Sequence, residues 1–166
     1  ELGHRRFAWL AGDKELHYNL RRHAALVEAL NHHDLKLADK STVNVEHGDR
    51  LGGWQAAEIL LGRISRKDYP TAWICANGLI ARGVISCLLQ NGWRVPADIS
   101  VVAVDAARIC EEEHPQITGA HADPEKTGMA AAELLLKHAD SAHENLTDVL
   151  LPSHLAVRES SAKAAA

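Results

Sequence analysis

The feature that most constrains the fold is an alternation, repeated four times, between short apolar runs and longer stretches of helical periodicity. The apolar runs predict strands and the stretches between them predict helices. The predicted strands are Phe7–Ala11, Thr42–Glu46, Ala72–Ala76 and Ile99–Val104. The last run is almost wholly β-branched, which is typical of a strand buried on both faces. The pattern predicts an α/β fold, with a parallel sheet flanked by helices on both sides.

Three helices are predicted between and after these strands. The first covers Leu16–His33 and the second Leu51–Leu61, while the third ends at the turn Asn91-Gly92. The apolar faces assigned to them are Leu20, Ala24, Val27 and Leu30; Trp54, Ala57 and Leu61; and Ile80, Val84 and Leu88.

The alternation breaks down after Asp105. A short strand, Gly119–Ala122, leads into a helix from Asp123 to about His138, with Asp123 as its N-cap and Pro124 as its first residue. The expected apolar side of this helix is Met129, Ala132, Leu135 and Leu136, and two short extended segments follow at Asp148–Leu151 and His154–Val157. The change suggests that part of the chain belongs to another lobe.

Composition limits the class of protein. The 166 residues suffice for one domain, and the net charge of −4 argues against nucleic-acid binding by this piece alone. Three cysteines form no CxxC pair, which suits a reducing compartment, and no membrane-length apolar run or signal peptide is seen. We therefore expect a cytoplasmic protein. The chain opens without Met directly before a strand, which suggests a piece of a longer polypeptide; residues 163–166 are treated as a tail.

Polar residues follow the predicted strands at Asp13, His47–Asp49, Asn77 and Asp105. Ligands of open α/β sheets bind outside the carboxyl ends of the strands. Carboxylates and an amide with a nearby Arg suit several hydrogen bonds to hydroxyl groups, as in sugar or polyol binding. An equally good interpretation is that Asp13 and Asp105 simply cap helices or turns.

Signatures of other chemistry are missing from the sequence. The glycine-rich run Gly48–Gly53 matches neither a dinucleotide-binding nor a phosphate-binding loop, and is expected to turn the chain into a helix. The eleven histidines show no ligand spacing, so no metal or cofactor is expected. The acidic run Glu111–Glu113 is interpreted as a solvated loop. No nucleophile elbow is present, so an enzyme is not expected.

Four stretches, in order along nearly the whole chain, resemble the LacI/GalR family of bacterial transcriptional repressors. They are GHRRFAWLAG, CANGLIARGV, GWRVPADISVVAVDA and LLPSHLAVRESS. The resemblance implies a two-lobed sensor like the periplasmic binding proteins, preceded by a DNA-binding head. Residues 1–122 would form the C-terminal lobe, 123–147 a crossover helix of the N-terminal lobe, and 148–162 the return strands. A complete member would be a homodimer that binds operator DNA through the head, which this chain lacks.

The resemblance also implies effector-binding residues. Arg22 of RRHAAL matches an arginine that reaches into the cleft, Asn77 an asparagine that bonds the ligand, and Asp105 the first aspartate of a pair. Tyr18 falls at another cleft-lining position. The helix Ile80 to Asn91 falls at a subunit interface of the family, although an ordinary solvent-facing side is an equally good interpretation. The sequence departs from the family pattern at several places. Gly78 and Ala106 replace aspartates, and Gly48 replaces an aromatic residue for which His47 or Trp54 could substitute. Ala122 replaces a glutamine, and Ala25-Leu26 replaces a G-[FY] pair.

These features predict the effector-sensing part of a LacI/GalR-type regulator that responds to a sugar or related metabolite. The alternative is a solute-binding protein of a sugar transport system, which would bind sugar but never DNA. The closing LLP…L..RES segment favours the regulator.

Overall fold

The computed structural model describes residues 2–105, 108–112, 114–139 and 148–164. Six strands form one sheet in the order β2-β1-β3-β4-β5-β6, in which the first five are parallel and β6 pairs antiparallel with β5. The strands are β1 (Phe7–Ala11), β2 (Thr42–Asn44), β3 (Ala72–Cys75), β4 (Ser100–Ala103), β5 (Thr118–Ala122) and β6 (Ser153–Ala156). The helices are α1 (His17–Asn31), α2 (Arg50–Arg63), α3 (Gly78–Gln90) and α4 (Pro124–Ala139). The predicted α/β class is confirmed.

The core lies where α2 and α3 pack on the sheet. Trp9 and Trp73 are its largest buried side chains, and Ile80, Val84 and Leu88 of α3 are fully buried, as the periodicity predicts. Glycines let the two helices approach closely. A Cβ on Gly53 would collide with the carbonyl oxygen of Ile80, and one on Gly83 with that of Arg50.

The buried face of α1 agrees with the predicted one only in part: Leu30 is buried and Val27 partly buried, as predicted. Leu20 is 53% exposed and Ala24 is also exposed, whereas Asn19 is buried. The Asn19 Nδ2 donates to the carbonyl of Asp13 at 2.8 Å, and the His23 ring packs near Trp9. The periodicity of apolar residues does not predict this face, because the polar residues Asn19 and His23 form part of it.

The second half departs from the sequence pattern in two places. Of the two predicted extended segments, only the second forms a strand, β6, which pairs with β5, whereas residues 148–151 belong to no strand. The α4 helix begins as predicted, because Asp123 Oδ1 accepts from the backbone N–H of Glu125 and of Lys126. Its apolar side is exposed, with Met129 60%, Leu135 73% and Leu136 71% accessible.

The closing segment fastens β4 to β5 through Ser160, which is fully buried. Its hydroxyl donates to the Val101 carbonyl at 2.6 Å and accepts from the Thr118 N–H at 2.8 Å. We expect Ser160→Ala to lower the free energy of unfolding by about 2 kcal/mol, since two buried backbone groups lose their partner. Urea denaturation measures this, and Ser153→Ala, at an exposed position of β6, is the control. Equal midpoints for the two variants would contradict this role.

No helix within the described part of the chain is long and apolar enough to cross a membrane.

Candidate functional site

The sheet order places a crevice between β1 and β3. The chain goes from β1 out to β2 and then returns to the other side of β1, so the loops after β1 and β3 diverge. Such a switch point is where open α/β sheets bind ligands. The loops that follow β1 and β2 approach each other closely at this edge. A Cβ on Gly12, after β1, would lie 2.7 Å from the Cα of Gly48, after β2.

Arg22 lies at the centre of this edge. Its Nη1 donates to the carbonyl of Ala76 at 2.8 Å, and its Nη2 lies 3.4 Å from Asp105 Oδ2. The guanidinium carbon lies 5.2 Å from the ring centroid of Tyr18, within the range of a cation–π contact. One side chain from α1 therefore joins the ends of β3 and β4, and its remaining N–H groups are available to a ligand.

Exposure of these three side chains suits a binding surface. The Arg22 side chain is 28% exposed, the Asp105 side chain 52%, and Tyr18 46%. The predicted residues Arg22, Asp105 and Tyr18 thus come together in one accessible cluster, which we call the cleft wall.

Asn77 lies at the same edge but carries structural bonds. Its Oδ1 accepts from the N–H of Ile80 at 2.8 Å and caps α3, while its Nδ2 donates to the carbonyl of Gly48 at 2.9 Å. One amide N–H remains for a ligand. The residue holds the loop after β2 against the start of α3, so it shapes the crevice in addition to any direct contact.

Two other strand-end aspartates bond to the backbone. Asp13 Oδ1 accepts from the Glu15 N–H at 2.9 Å in the turn before α1, and Asp49 Oδ1 accepts from the Gly52 N–H at 2.8 Å as the N-cap of α2. The glycine-rich run therefore starts a helix, as predicted. Among the positions that depart from the family pattern, Trp54 packs against the core and His47 is exposed, while Ala106 lies outside the described residues.

Gly78 was noted in the sequence only as a departure, and the structure shows what surrounds it. A Cβ there would lie 2.7 Å from Cys110 Sγ, 3.2 Å from Ile109 Cγ2 and 3.3 Å from the Asp105 carbonyl oxygen. Cys110 and its neighbour in space, Cys75, are fully buried, and burial raises the pKa of the Cys75 thiol. The sequence gives no signal for the contact between Gly78 and Cys110, because the two residues are 32 positions apart and Cys110 belongs to no motif.

The acidic run is more than a solvated loop. Glu111 Oε1 accepts from Arg158 Nη2 at 2.7 Å, and the same arginine donates to the carbonyl of Ile117. Glu112 pairs with Arg108, and Glu113 lies outside the described residues. Within the described ranges, no three His, Cys, Asp or Glu residues are grouped so that they could hold a metal ion.

Comparison with known proteins identifies the family. Residues 1–161 match the profile of the periplasmic binding protein-like domain. The chain is 31% identical over 144 residues to the HTH-type transcriptional repressor PurR of Erwinia tasmaniensis, covering 87% of this chain and 41% of that protein. This chain is a periplasmic binding protein-like domain of the LacI/GalR type.

Solved structures agree with the assignment to the LacI/GalR type. A LacI family regulator from Bifidobacterium animalis subsp. lactis superposes with a TM-score of 0.84 at 29% identity, covering 99% of this chain and 58% of that one. The transcriptional regulator CelR in complex with cellobiose gives 0.85 at 28% identity, covering 95% and 47%. The chain spans about two fifths of the length of the PurR repressors that it matches.

Proposed function

We propose that this LacI/GalR-type domain is the effector-sensing lobe of a transcriptional regulator and that its cleft wall binds a sugar or related metabolite. The supporting observation is Arg22, which bridges the ends of β3 and β4 beside Tyr18 at the crevice. Arg22 and Asp105 can donate to and accept from hydroxyl groups, and Asn77 adds one N–H. The relatives named as repressors, and the cellobiose bound by CelR, support a regulator that responds to a sugar.

The mechanism follows from a cleft with two walls. The effector would lie between this lobe and a second lobe, and its affinity for the closed form would shift the equilibrium between open and closed states. In a homodimer in the cytoplasm, that closure would change how an N-terminal head binds operator DNA. The exposed apolar side of α4 fits this arrangement, since residues 123–147 would pack in the second lobe. A transport protein is less favoured because the similar proteins are regulators.

Operator binding by the full-length protein tests this function. We expect fluorescence anisotropy with its operator DNA to change in the presence of one member of a sugar panel, with a linkage of about five- to 150-fold in affinity. An Arg21→Ala variant tested with the same panel serves as a control. It should respond as the unmodified protein does, because Arg21 is exposed and adjacent to Arg22 in sequence but does not belong to the cleft wall. Operator binding that responds to purines but to no sugar would refute the sugar part of the proposal.

A second prediction concerns this chain by itself. With only one wall of the cleft, it should bind the effector that is active on the full-length protein at least about a hundredfold more weakly, because half of the contacts are missing. Isothermal titration calorimetry on both proteins measures the difference. A sub-micromolar dissociation constant for the chain alone would show that one wall suffices.

A further inference from the structure

The turn from β3 into α3 contacts both partners of the ion pair between Arg22 and Asp105. Ala76 at its start accepts the hydrogen bond from Arg22, at 2.8 Å. Gly78 at its end lies against the backbone carbonyl of Asp105, to which a Cβ on Gly78 would come within 3.3 Å. The relative position of Arg22 and Asp105 therefore depends on three consecutive residues, 76–78.

The second contact of Gly78 is with the 3-10 turn Arg108–Cys110. Cys110 Sγ lies 2.7 Å from where a Cβ would be, and Ile109 Cγ2 lies at 3.2 Å. Real Cβ atoms essentially never approach another heavy atom to 2.7 Å, so any side chain at position 78 must displace Cys110. Cys110 is fully buried in a close-packed interior, which leaves its thiol little room to move.

We propose that Gly78 and Cys110 are a positioning pair: the thiol packs on the bare Cα of Gly78, so that Asp105 and the 3-10 turn Arg108–Cys110 lie close against the start of α3. The pair thereby sets the distance between the Asp105 carboxylate and the Arg22 guanidinium. Its role in effector binding rests on the function proposed above, whereas the packing itself does not.

The proposed contact predicts that substitutions at positions 78 and 110 are energetically coupled. Gly78 begins α3 and has no positive φ, so Ala at this position would be favoured by helix propensity alone. Any penalty for Gly78→Ala therefore comes from steric overlap with Cys110, Ile109 or Asp105. Removing Sγ with Cys110→Ala opens the closest of these contacts.

Alkylation of Cys110 with N-ethylmaleimide, followed by peptide mapping, tests the packing without any effector. All three cysteines are buried in this structure, so labelling of the unmodified protein should be slow. Gly78→Ala should accelerate labelling of Cys110 by about tenfold or more, as expected for a local overpacking penalty of this kind, and leave Cys87 unchanged. Gly128→Ala in α4, where nothing lies within 4 Å of the added Cβ, is the matched control.

A double-mutant cycle separates a specific contact from general damage. Urea midpoints are measured for Gly78→Ala, Cys110→Ala and the double variant, and we expect the double variant to be more stable than the sum of the two single effects predicts. Strict additivity of the two stability changes would contradict the proposed contact between Gly78 and Cys110. So would a Cys110 that stays protected from alkylation in Gly78→Ala.

The full-length regulator provides the functional measurement. Gly78→Ala should weaken the response to the active sugar about tenfold or more while operator affinity without sugar stays the same. An unchanged sugar response together with rapid labelling of Cys110 would overturn the positioning role. If the unmodified regulator responds to no sugar at all, the sugar proposal fails, and the labelling and the cycle still decide the packing pair.

Discussion

Gly83→Val should lower the free energy of unfolding by at least about 3 kcal/mol, the upper part of the range seen for overpacked cores. A Cβ at position 83 would collide with the carbonyl oxygen of Arg50 and lie 2.7 Å from the backbone nitrogen of Trp54. Both atoms belong to the backbone of α2, so the overlap can be relieved only by moving a helix. Valine adds two methyl groups to that overlap.

A glycine in the same helix pair provides the control. Gly62, in the last turn of α2, has nothing within 4 Å of an added Cβ. Gly62→Ala should therefore raise stability by up to about 1 kcal/mol, because the backbone of the unfolded chain loses freedom. Chemical denaturation of the three proteins measures both effects. A Gly83→Val protein as stable as the Gly62→Ala protein would show that the helices separate without cost.

The reason for the large effect is that α2 and α3 pack backbone to backbone. Gly53 contacts the carbonyl of Ile80 as Gly83 contacts that of Arg50, so the contact is reciprocal. A stability of about 5–15 kcal/mol is typical of a domain, and a loss of 3 kcal/mol would be a large part of it. The sequence does not reveal this contact, since glycine adds nothing to an apolar periodicity.

Strands and the α3 face were predictable because their signal is local. A short run of apolar residues bounded by polar ones predicts a buried strand whatever surrounds it, and β1 matches its predicted bounds. The face of α1 was not predictable in this way. Asn19 is buried because the carbonyl of Asp13, six residues earlier, accepts its hydrogen bond. That pairing depends on how the loop folds and not on hydrophobicity.

The residues of the candidate site were also predictable only where their signal is local in the sequence. The position of Asp105 follows from the end of a predicted strand, and Arg22 was reached through the family resemblance. Their contact, 83 residues apart in sequence, required the fold. Asn77 shows the limit of residue type as a guide, because an asparagine at a strand end suits both a ligand and a helix cap, and here it caps α3.

Arg22→Met in the full-length regulator should weaken the sugar response by about a hundredfold, since hydrogen bonds to charged groups each contribute about 1.5–3 kcal/mol. Methionine keeps much of the length of the side chain but removes the donors to Ala76 and the partner of Asp105. Arg22→Lys should recover only part of the response, because a single ammonium cannot replace a planar fork that bonds two groups. Anisotropy of labelled operator DNA, titrated with the active sugar, measures all three proteins.

Three controls make this result specific to the cleft wall. Arg21→Ala removes an exposed positive charge one residue away and should leave the sugar response unchanged. Loss of the partly exposed Arg22–Asp105 pair should lower the free energy of unfolding by no more than about 1 kcal/mol. Loss of the bond to the buried Ala76 carbonyl should lower it by about 1–3 kcal/mol, so the domain should stay folded. Operator affinity in the absence of sugar should also stay within about twofold, because Arg22 would act only through the bound effector. An Arg22→Met regulator that still responds to the sugar would show that the effector binds elsewhere.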